Sequence, residues 1–188
     1  CTTHVEENTS AIWTYTFPTM GTMGHISIVV DSNIDIDTVA IIDAIQAELQ
    51  AVNQSVNTWD PNSYLSRYNT GDTSLNPFKD KEYVLIDNIL ASKRFHKLSF
   101  GAFNPAVMAL VSFYEERDVH KLLSKEEQFI VDSIVQVIAN FPSIFENQGD
   151  VFLPLDFSAI AKGYGVDAIA KALNNLGIEN YLIEIGGE

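Results

Sequence analysis

An aspartate at the end of an apolar run and a lysine six residues further on are the side chains of this sequence best placed to do chemistry. They sit in Leu155-Asp156-Phe157-Ser158-Ala159-Ile160-Ala161-Lys162-Gly163. Before them, Val151 to Leu155 reads as a strand. After them, Val166, Ile169, Ala170, Leu173 and Leu176 recur at helical spacing until Gly177 stops the pattern. A second strand, Tyr181 to Ile185, runs out into Gly186-Gly187-Glu188. An anionic ligand on a metal ion would use such a layout: a carboxylate near the metal, an ammonium near phosphate, and bare backbone that can be approached closely. The same residues equally suit an ordinary strand–helix–strand unit, with Asp156 capping the helix and Lys162 in water. Local sequence leaves both readings open.

The bulk numbers narrow the partners. The 188 residues are 46% hydrophobic and 19% charged, enough for one domain with a substantial core. A net charge of −14 argues against a nucleic-acid partner, because phosphate backbones reward clustered Lys and Arg. A phosphate-bearing ligand would need a local cation here, most simply Mg²⁺ held by carboxylate or carbonyl oxygens. The single cysteine, Cys1, excludes a disulfide within the chain and a Cys-rich zinc site. Cys1 followed by the polar run Thr2 to Ser10 reads as a mature bacterial lipoprotein, residues 1–10 forming a tether and Cys1 carrying lipid outside the cytoplasm. A chain boundary that happens to fall on cysteine is the other account. No apolar run is long enough to span a membrane.

The elements that must position these residues follow in order. Ile12 to Phe17 alternates, Pro18 breaks it, and His25 to Val30 alternates again, so two strands flank a turn over Thr19 to Gly24. Asp37 or Thr38 caps a helix whose Ile42, Ile45, Leu49, Val52 and Val56 form a buried stripe, ending near Asn57. Ser63 to Tyr68 suggests a short helix, and Thr70 to Asp80 a loop. Glu82 to Leu98 reads as a helix with Leu85, Ile86, Ile89, Leu90 and Phe95 inward. The segment Ser99 to Pro105 interrupts it before the apolar stretch Ala106 to Tyr114. Ser124 and Glu127 make a capping box for another helix, although Ile134 to Ile138 suits a strand equally well. Asn147 to Asp150 reads as a turn leading into Val151. Strands and helices mix without regular alternation, which predicts an α+β domain over residues 11–188, with mainly antiparallel sheet packed against helices.

Other motifs fall away. Gly163-Tyr164-Gly165 neither follows a strand directly nor carries a third glycine, so it is no dinucleotide fingerprint. His4, His25, His96 and His120 are scattered without metal-ligand spacing and read as surface or satisfied residues. No Gly-x-Ser-x-Gly elbow supports a serine nucleophile. Four turn-rich segments remain, Pro18–Thr22, Thr58–Asn69, Gly101–Pro105 and Asp156–Gly163, each with an aromatic, methionine or charged residue of the kind that lines clefts.

Taken in order, these segments resemble a known family. Thr19-Met20-Gly21-Thr22, Asn57 to Ser63 with Ser66-Arg67-Tyr68-Asn69, Gly101-Ala102-Phe103-Asn104-Pro105, Asp156 to Gly163 and Ile185 to Glu188 are similar to the motifs of the ApbE family of flavin transferases. The resemblance runs from about Thr16 to the last residue. It implies an ApbE-like fold, related to the T-fold, and a Mg²⁺-dependent FAD:protein FMN transferase. Such an enzyme cleaves the FAD pyrophosphate, attaches FMN through a phosphoester to a threonine of a target redox protein, and releases AMP. It further implies that Met20 and Trp59 pack on the flavin, and that Ala102, Phe103 and Asn104 line the FAD site. Asp156 and Lys162 would contact FAD as the catalytic pair, and the Ala159 carbonyl would help hold the metal.

Two departures accompany the match. Asn104 stands where the family commonly has aspartate. The family's chain also continues past Gly-Gly-Glu, with further metal ligands there, so residues 11–188 look like a domain truncated at its C-terminal side. A second chain or a homo-oligomer completing the site is the corresponding expectation, with the protein lipid-anchored in the bacterial periplasm. The rival activities are a pyrophosphatase giving FMN and AMP, and a non-catalytic flavin-binding lipoprotein.

Overall fold

A computed structural model of the chain describes residues 10–31, 36–76, 82–115, 117–118, 120–139 and 152–187. Cys1 and most of the tether lie outside the described residues, as does the turn expected at Asn147 to Asp150. The chain divides into two compact units, residues 1–53 with 162–188, and residues 54–161.

In the first unit, β1 (Ser10–Thr19), β2 (Thr22–Asp31) and β3 (Tyr181–Ile185) form an antiparallel sheet in the order β1-β2-β3. The β1–β2 turn is only Met20-Gly21, tighter than the segment expected from sequence. Both residues have positive φ, 45° and 71°, as a two-residue turn of the I′ kind requires to match strand twist. Pro18 does not break β1. It pairs with Met23 in a strand at the sheet's edge, where a missing N–H is tolerated.

Strand alternation puts Phe17, Ile26, Ile28 and Ile185 on one face, in a core with Ile41, Ile45, Leu49, Ile169 and Leu173. These last five come from α1 (Thr38–Val56) and α6 (Ser158–Asn175), the latter being the sixth helix among the described residues. The α1 cap is Asp37, whose Oδ1 accepts from Ala40 N at 3.0 Å. The buried stripe of α1 starts at Ile41, with Ile42 only half-buried, one position earlier than the sequence reading placed it. In α6, Leu176 falls past the helix end and is exposed, while Ala172 joins Ile169 and Leu173 inside.

Gly24 is needed for packing. A Cβ there would collide with the Phe17 ring, which is buried to 1% exposure and has nowhere to go. Gly24→Ala is therefore expected to lower stability by about 1–3 kcal/mol, the usual cost of overpacking, measured as the fall in Tm.

The second unit is helical. It takes up the end of α1, then α2 (Tyr64–Asn69), α3 (Tyr83–Leu98), a 3₁₀ turn (Pro105–Val107), α4 (Met108–Glu115) and α5 (Lys125–Ala139). Ser63 caps α2 and Glu82 caps α3 through their side chains. The inward face of α3 is Val84, Leu85, Asn88, Ile89 and Ser92, whereas Leu90 and Phe95 are exposed and Ile86 is half-buried, which corrects the predicted face. Ile134 to Ile138 is helix, within α5.

The capping box is present: Ser124 Oγ accepts from Glu127 N, and Glu127 Oε2 accepts from Ser124 N at 2.7 Å. The Arg117 guanidinium, bonded to Glu127 Oε1 at 2.9 Å, together with that Ser124 N–H, holds the Glu127 carboxyl below its ordinary 4.5. A carboxyl depressed in the folded state stabilises above its unfolded value and loses that contribution as pH falls through the folded one. Amides in the first turn of α5 are thus expected to lose hydrogen-exchange protection below pH 4.5, while Glu127→Gln shows a much weaker pH dependence there.

The run predicted as a strand, Val151 to Leu155, has no ladder over its described part. Side chains take the place of a partner strand. Tyr68 Oη donates to Leu153 O at 3.1 Å, and Leu153 N lies 3.4 Å from the same oxygen. Asn69 reads Leu155 as a strand would, donating from Nδ2 to its carbonyl at 2.7 Å and accepting its N–H on Oδ1 at 2.9 Å. Asp156 N then donates to Pro105 O at 2.7 Å. Burial pushes the Tyr68 phenol above its ordinary 10.0, against the lowering effect of its bond to the Leu153 carbonyl, so it remains a neutral donor at physiological pH. With Leu153, Leu155 and Phe157 buried in alternation, the segment is extended and held in register without belonging to a sheet.

Candidate functional site

Ala102, Phe103, Asn104, Asp156 and Ala159 come together in the second unit, lining one cavity of about 630 Å³. They are supplied by two segments more than fifty residues apart in sequence. The link between those segments is the Asp156 N–H bond to the Pro105 carbonyl. Val107, Leu110, Val135 and Ile138 give the cavity an apolar wall, and a volume of this size suits a small organic ligand.

The loop that carries Ala102 to Asn104 is braced by the end of α3. His96 Nδ1 lies 2.8 Å from Phe103 O. A carbonyl can only accept, so Nδ1 carries the proton in this bond. Ser99 Oγ accepts from Phe103 N at 2.9 Å and donates to His96 O at 3.2 Å. Asn104 uses both ends of its amide: Oδ1 accepts from Ala106 N and Nδ2 donates to Ile138 O, each at 3.0 Å. An aspartate there would set an anion against the Ile138 carbonyl. The amide at position 104 therefore has a structural reason in this chain, and it ties the loop to the end of α5.

Asp156 is half-buried just before α6, with Oδ1 accepting from Ser158 N at 2.7 Å. It holds the helix start, as the plainer sequence reading had it, and it also faces the cavity. It does not end a strand. Ala159 lies in the first turn of α6. Trp59 belongs to the same unit but is not among the residues lining the cavity, and it is 77% exposed. Its backbone N–H is held by Asn57 Oδ1 at 3.0 Å, and the preceding Thr58 Oγ1 lies 3.4 Å from Ser158 Oγ, beside the start of α6.

Met20 and Lys162 are described within the first unit. Met20, in the left-handed region, lays its Cε 3.0 Å from the point where a Cβ on Gly165 would stand, with Ile185 Cδ1 at 3.3 Å. A side chain at Gly165 would push Met20 away. The half-buried Lys162 carries its stem to the exit of β3, where its Cδ is 3.4 Å from a Cβ built on Gly186, and Thr22 Cγ2 is 2.9 Å from the same point. Gly186, with φ 60°, bonds from its N–H to Met23 O at 3.0 Å. Gly186, the first of the glycine pair noted in the sequence, thus makes room for Thr22 beside the Lys162 stem, whereas Gly187 has no neighbour among the described residues that a side chain would meet.

Gly101, in the cleft segment read from the sequence, lines the cavity, whereas sequence reasoning missed His96 and Phe100 in its wall. In sequence His96 reads, like the other histidines, as a surface or satisfied residue. The available signal was its place one turn before a helix end followed by glycine.

Among the described residues no group of three or more His, Cys, Asp or Glu converges to hold a metal ion. Asp156 and the Ala159 carbonyl do not by themselves fit a divalent cation, which takes six or more oxygens including water.

A family model described as the ApbE family matches residues 20–188, and the chain belongs to that family. Solved structures of this family share the chain's α+β fold. The flavin transferase ApbE from Vibrio cholerae superposes with a TM-score of 0.76 at 27% identity, covering 95% of this chain and 58% of that one. The Pseudomonas stutzeri flavinyl transferase ApbE, in its apo form, gives 0.72 at 24% identity, covering 95% of this chain and 57% of that one, a likeness of fold alone. Among curated proteins, the FAD:protein FMN transferase of Vibrio cholerae serotype O1 (strain ATCC 39541 / Classical Ogawa 395 / O395) is 30% identical over 185 residues, or 91% of this chain and 52% of that protein. That of Haemophilus influenzae (strain ATCC 51907 / DSM 11121 / KW20 / Rd) is 28% identical over 181 residues, 90% of this chain and 51% of that protein. The chain spans about half the length of the curated relatives it matches.

Proposed function

We propose that the protein carrying this chain is an FAD:protein FMN transferase. What supports the reading best is a single observation: the Ala102–Asn104 loop and the Asp156–Ala159 segment, distant in sequence, line one cavity. The relatives' names supply the reaction class.

In this reading the hydroxyl oxygen of an acceptor threonine attacks the phosphorus on the FMN side of the FAD pyrophosphate. A new P–O bond forms, the bridging P–O bond breaks, AMP departs with the electron pair, and the hydroxyl proton passes to solvent or to the Asp156 carboxylate. Negative charge grows on the departing phosphate. The Lys162 ammonium is assigned to neutralise it, a contribution that a fixed cation makes without reorganising. The Phe103 ring and Met20 thioether are assigned to the ring systems, and Trp59 to the flavin, where a large exposed indole would gain a partner. The magnesium ion belongs to the proposal and requires oxygen ligands beyond those the described residues supply.

The test mixes the protein with FAD, Mg²⁺ and a threonine-bearing acceptor. Flavin fluorescence on the denatured acceptor, with one AMP released per flavin attached, is the expected result. AMP released equally without acceptor would mean hydrolysis instead, and FAD bound with no AMP formed would mean a binding protein.

A further inference from the structure

Phe100 combines two unfavourable features at the edge of the cavity. The end of α3 closes with Ser99 N bonded to Phe95 O at 2.9 Å, Phe100 N to Lys97 O at 3.3 Å, and Gly101 N to His96 O at 2.8 Å. The last of these spans five residues, a closure that turns the intervening residue left-handed. Here that residue is Phe100, with φ 54°, and Gly101 after it is left-handed too, at 88°, so only the second of the two left-handed positions is a glycine. Helices normally place Gly or Asn at such a position, because a Cβ there crowds the following carbonyl. Phenylalanine has neither the freedom of glycine nor the local hydrogen bonding of asparagine.

The closing hydrogen bonds satisfy helix-end carbonyls, but no packing of the Phe100 side chain among the described residues offsets the strain. The Phe100 side chain is 99% exposed. A lone exposed apolar residue is ordinary. An exposed aromatic held in a disfavoured backbone conformation on a cavity wall is not, since strain of this kind persists mainly where a ligand uses it. Phe100 lines the cavity together with Ala102, Phe103, Asn104 and Asp156. The neighbouring ring, Phe103, is already engaged edge-on with Phe95 at 6.0 Å between centroids, whereas both faces of Phe100 are open.

We propose that Phe100 is a ligand-contacting residue whose ring stacks on a planar heteroaromatic ring of the bound dinucleotide. The proposal rests on the reading of the cavity as an FAD site and adds to it the residue that grips a ring at the entrance. The chemistry fits either isoalloxazine or adenine, each a flat aromatic surface of the kind that pairs with phenylalanine.

The experiment exploits the opposite signs of strain and stacking. Phe100→Gly should relieve the backbone and raise Tm by about 2–4 °C, yet weaken FAD binding roughly three- to tenfold. Phe100→Asn, which tolerates the same φ, should show the same loss of affinity. Phe100→Trp should bind FAD within about twofold of the parent, because it keeps the ring. Titrating FMN and AMP separately identifies the stacked ring: the loss falls on FMN for isoalloxazine and on AMP for adenine. A parent protein that binds FAD, with glycine and asparagine variants that bind it equally well, overturns the assignment of Phe100 and leaves the proposed function standing. A parent protein that binds no FAD refutes the proposed function, and this inference with it.

Discussion

Replacing Lys162 by methionine is expected to lower FMN transfer by about 10²–10³-fold while leaving Tm nearly unchanged. The choice of methionine follows from the geometry. The lysine stem packs at the β3 exit, its Cδ within contact range of a Cβ built on Gly186, and methionine keeps an unbranched apolar stem there while removing the ammonium. Alanine would remove both and confuse lost packing with lost electrostatics. The magnitude decides between two accounts of the residue. A solvated lysine in a surface pair contributes about 0–1 kcal/mol, a factor of no more than about five. A fixed cation on the departing phosphate contributes about 3–4 kcal/mol to the barrier. A Lys162→Met protein that transfers FMN at one-third of the parent rate would return the residue to the first account. Lys162→Arg restores the charge but broadens the head, so partial recovery is expected, with kcat affected more than KM.

How much of this molecule could be read from its sequence depends on whether the interaction that decides each element is local. The α1 stripe, the Ser124–Glu127 capping box and strand β3 were legible because periodicity and capping act within a turn or a strand. The face of α3 was misread. Asn88 and Ser92 are fully buried there while Leu90 and Phe95 are exposed, and hydrophobicity alone assigns those four the other way. Asn88 reaches the Val84 carbonyl through Nδ2 at 2.8 Å, which makes one end of its amide tolerable inside the unit. The turn at Met20-Gly21 was placed but drawn too wide, since nothing in a methionine announces a left-handed backbone. For the candidate site, the resemblance to the ApbE motifs implied Ala102, Phe103, Asn104, Asp156 and Ala159, and these residues line one cavity. Phe100 and His96 stayed hidden because they belong to the end of a helix, where identity is set by capping geometry and not by a motif.

The Val151–Leu155 run holds the clearest lesson and the second large effect. Its alternation of Leu153, Leu155 and Phe157 is what a half-buried strand shows, yet two side chains some 85 residues earlier hold its backbone. Asn69 matters most, because its amide is both donor and acceptor and satisfies the Leu155 N–H and C=O together. Asn69→Ala leaves both part-buried groups unpaired, at about 1–3 kcal/mol for each, so a loss of about 2–6 kcal/mol is expected in urea unfolding. Asn69→Asp is the sharper variant. Its carboxylate still accepts the Leu155 N–H but sets a charge against the Leu155 carbonyl, so it should destabilise about as much as alanine while changing side-chain volume little. Asp156 is the next residue, and its own N–H reaches Pro105, so the clamp at Asn69 also fixes where the two cavity segments meet. Both variants are therefore expected to weaken FAD binding even at temperatures where the protein stays folded. Variants that unfold earlier yet bind FAD as tightly as the parent would show that the clamp serves stability alone, and that Asp156 keeps its place through Pro105 and Ser158.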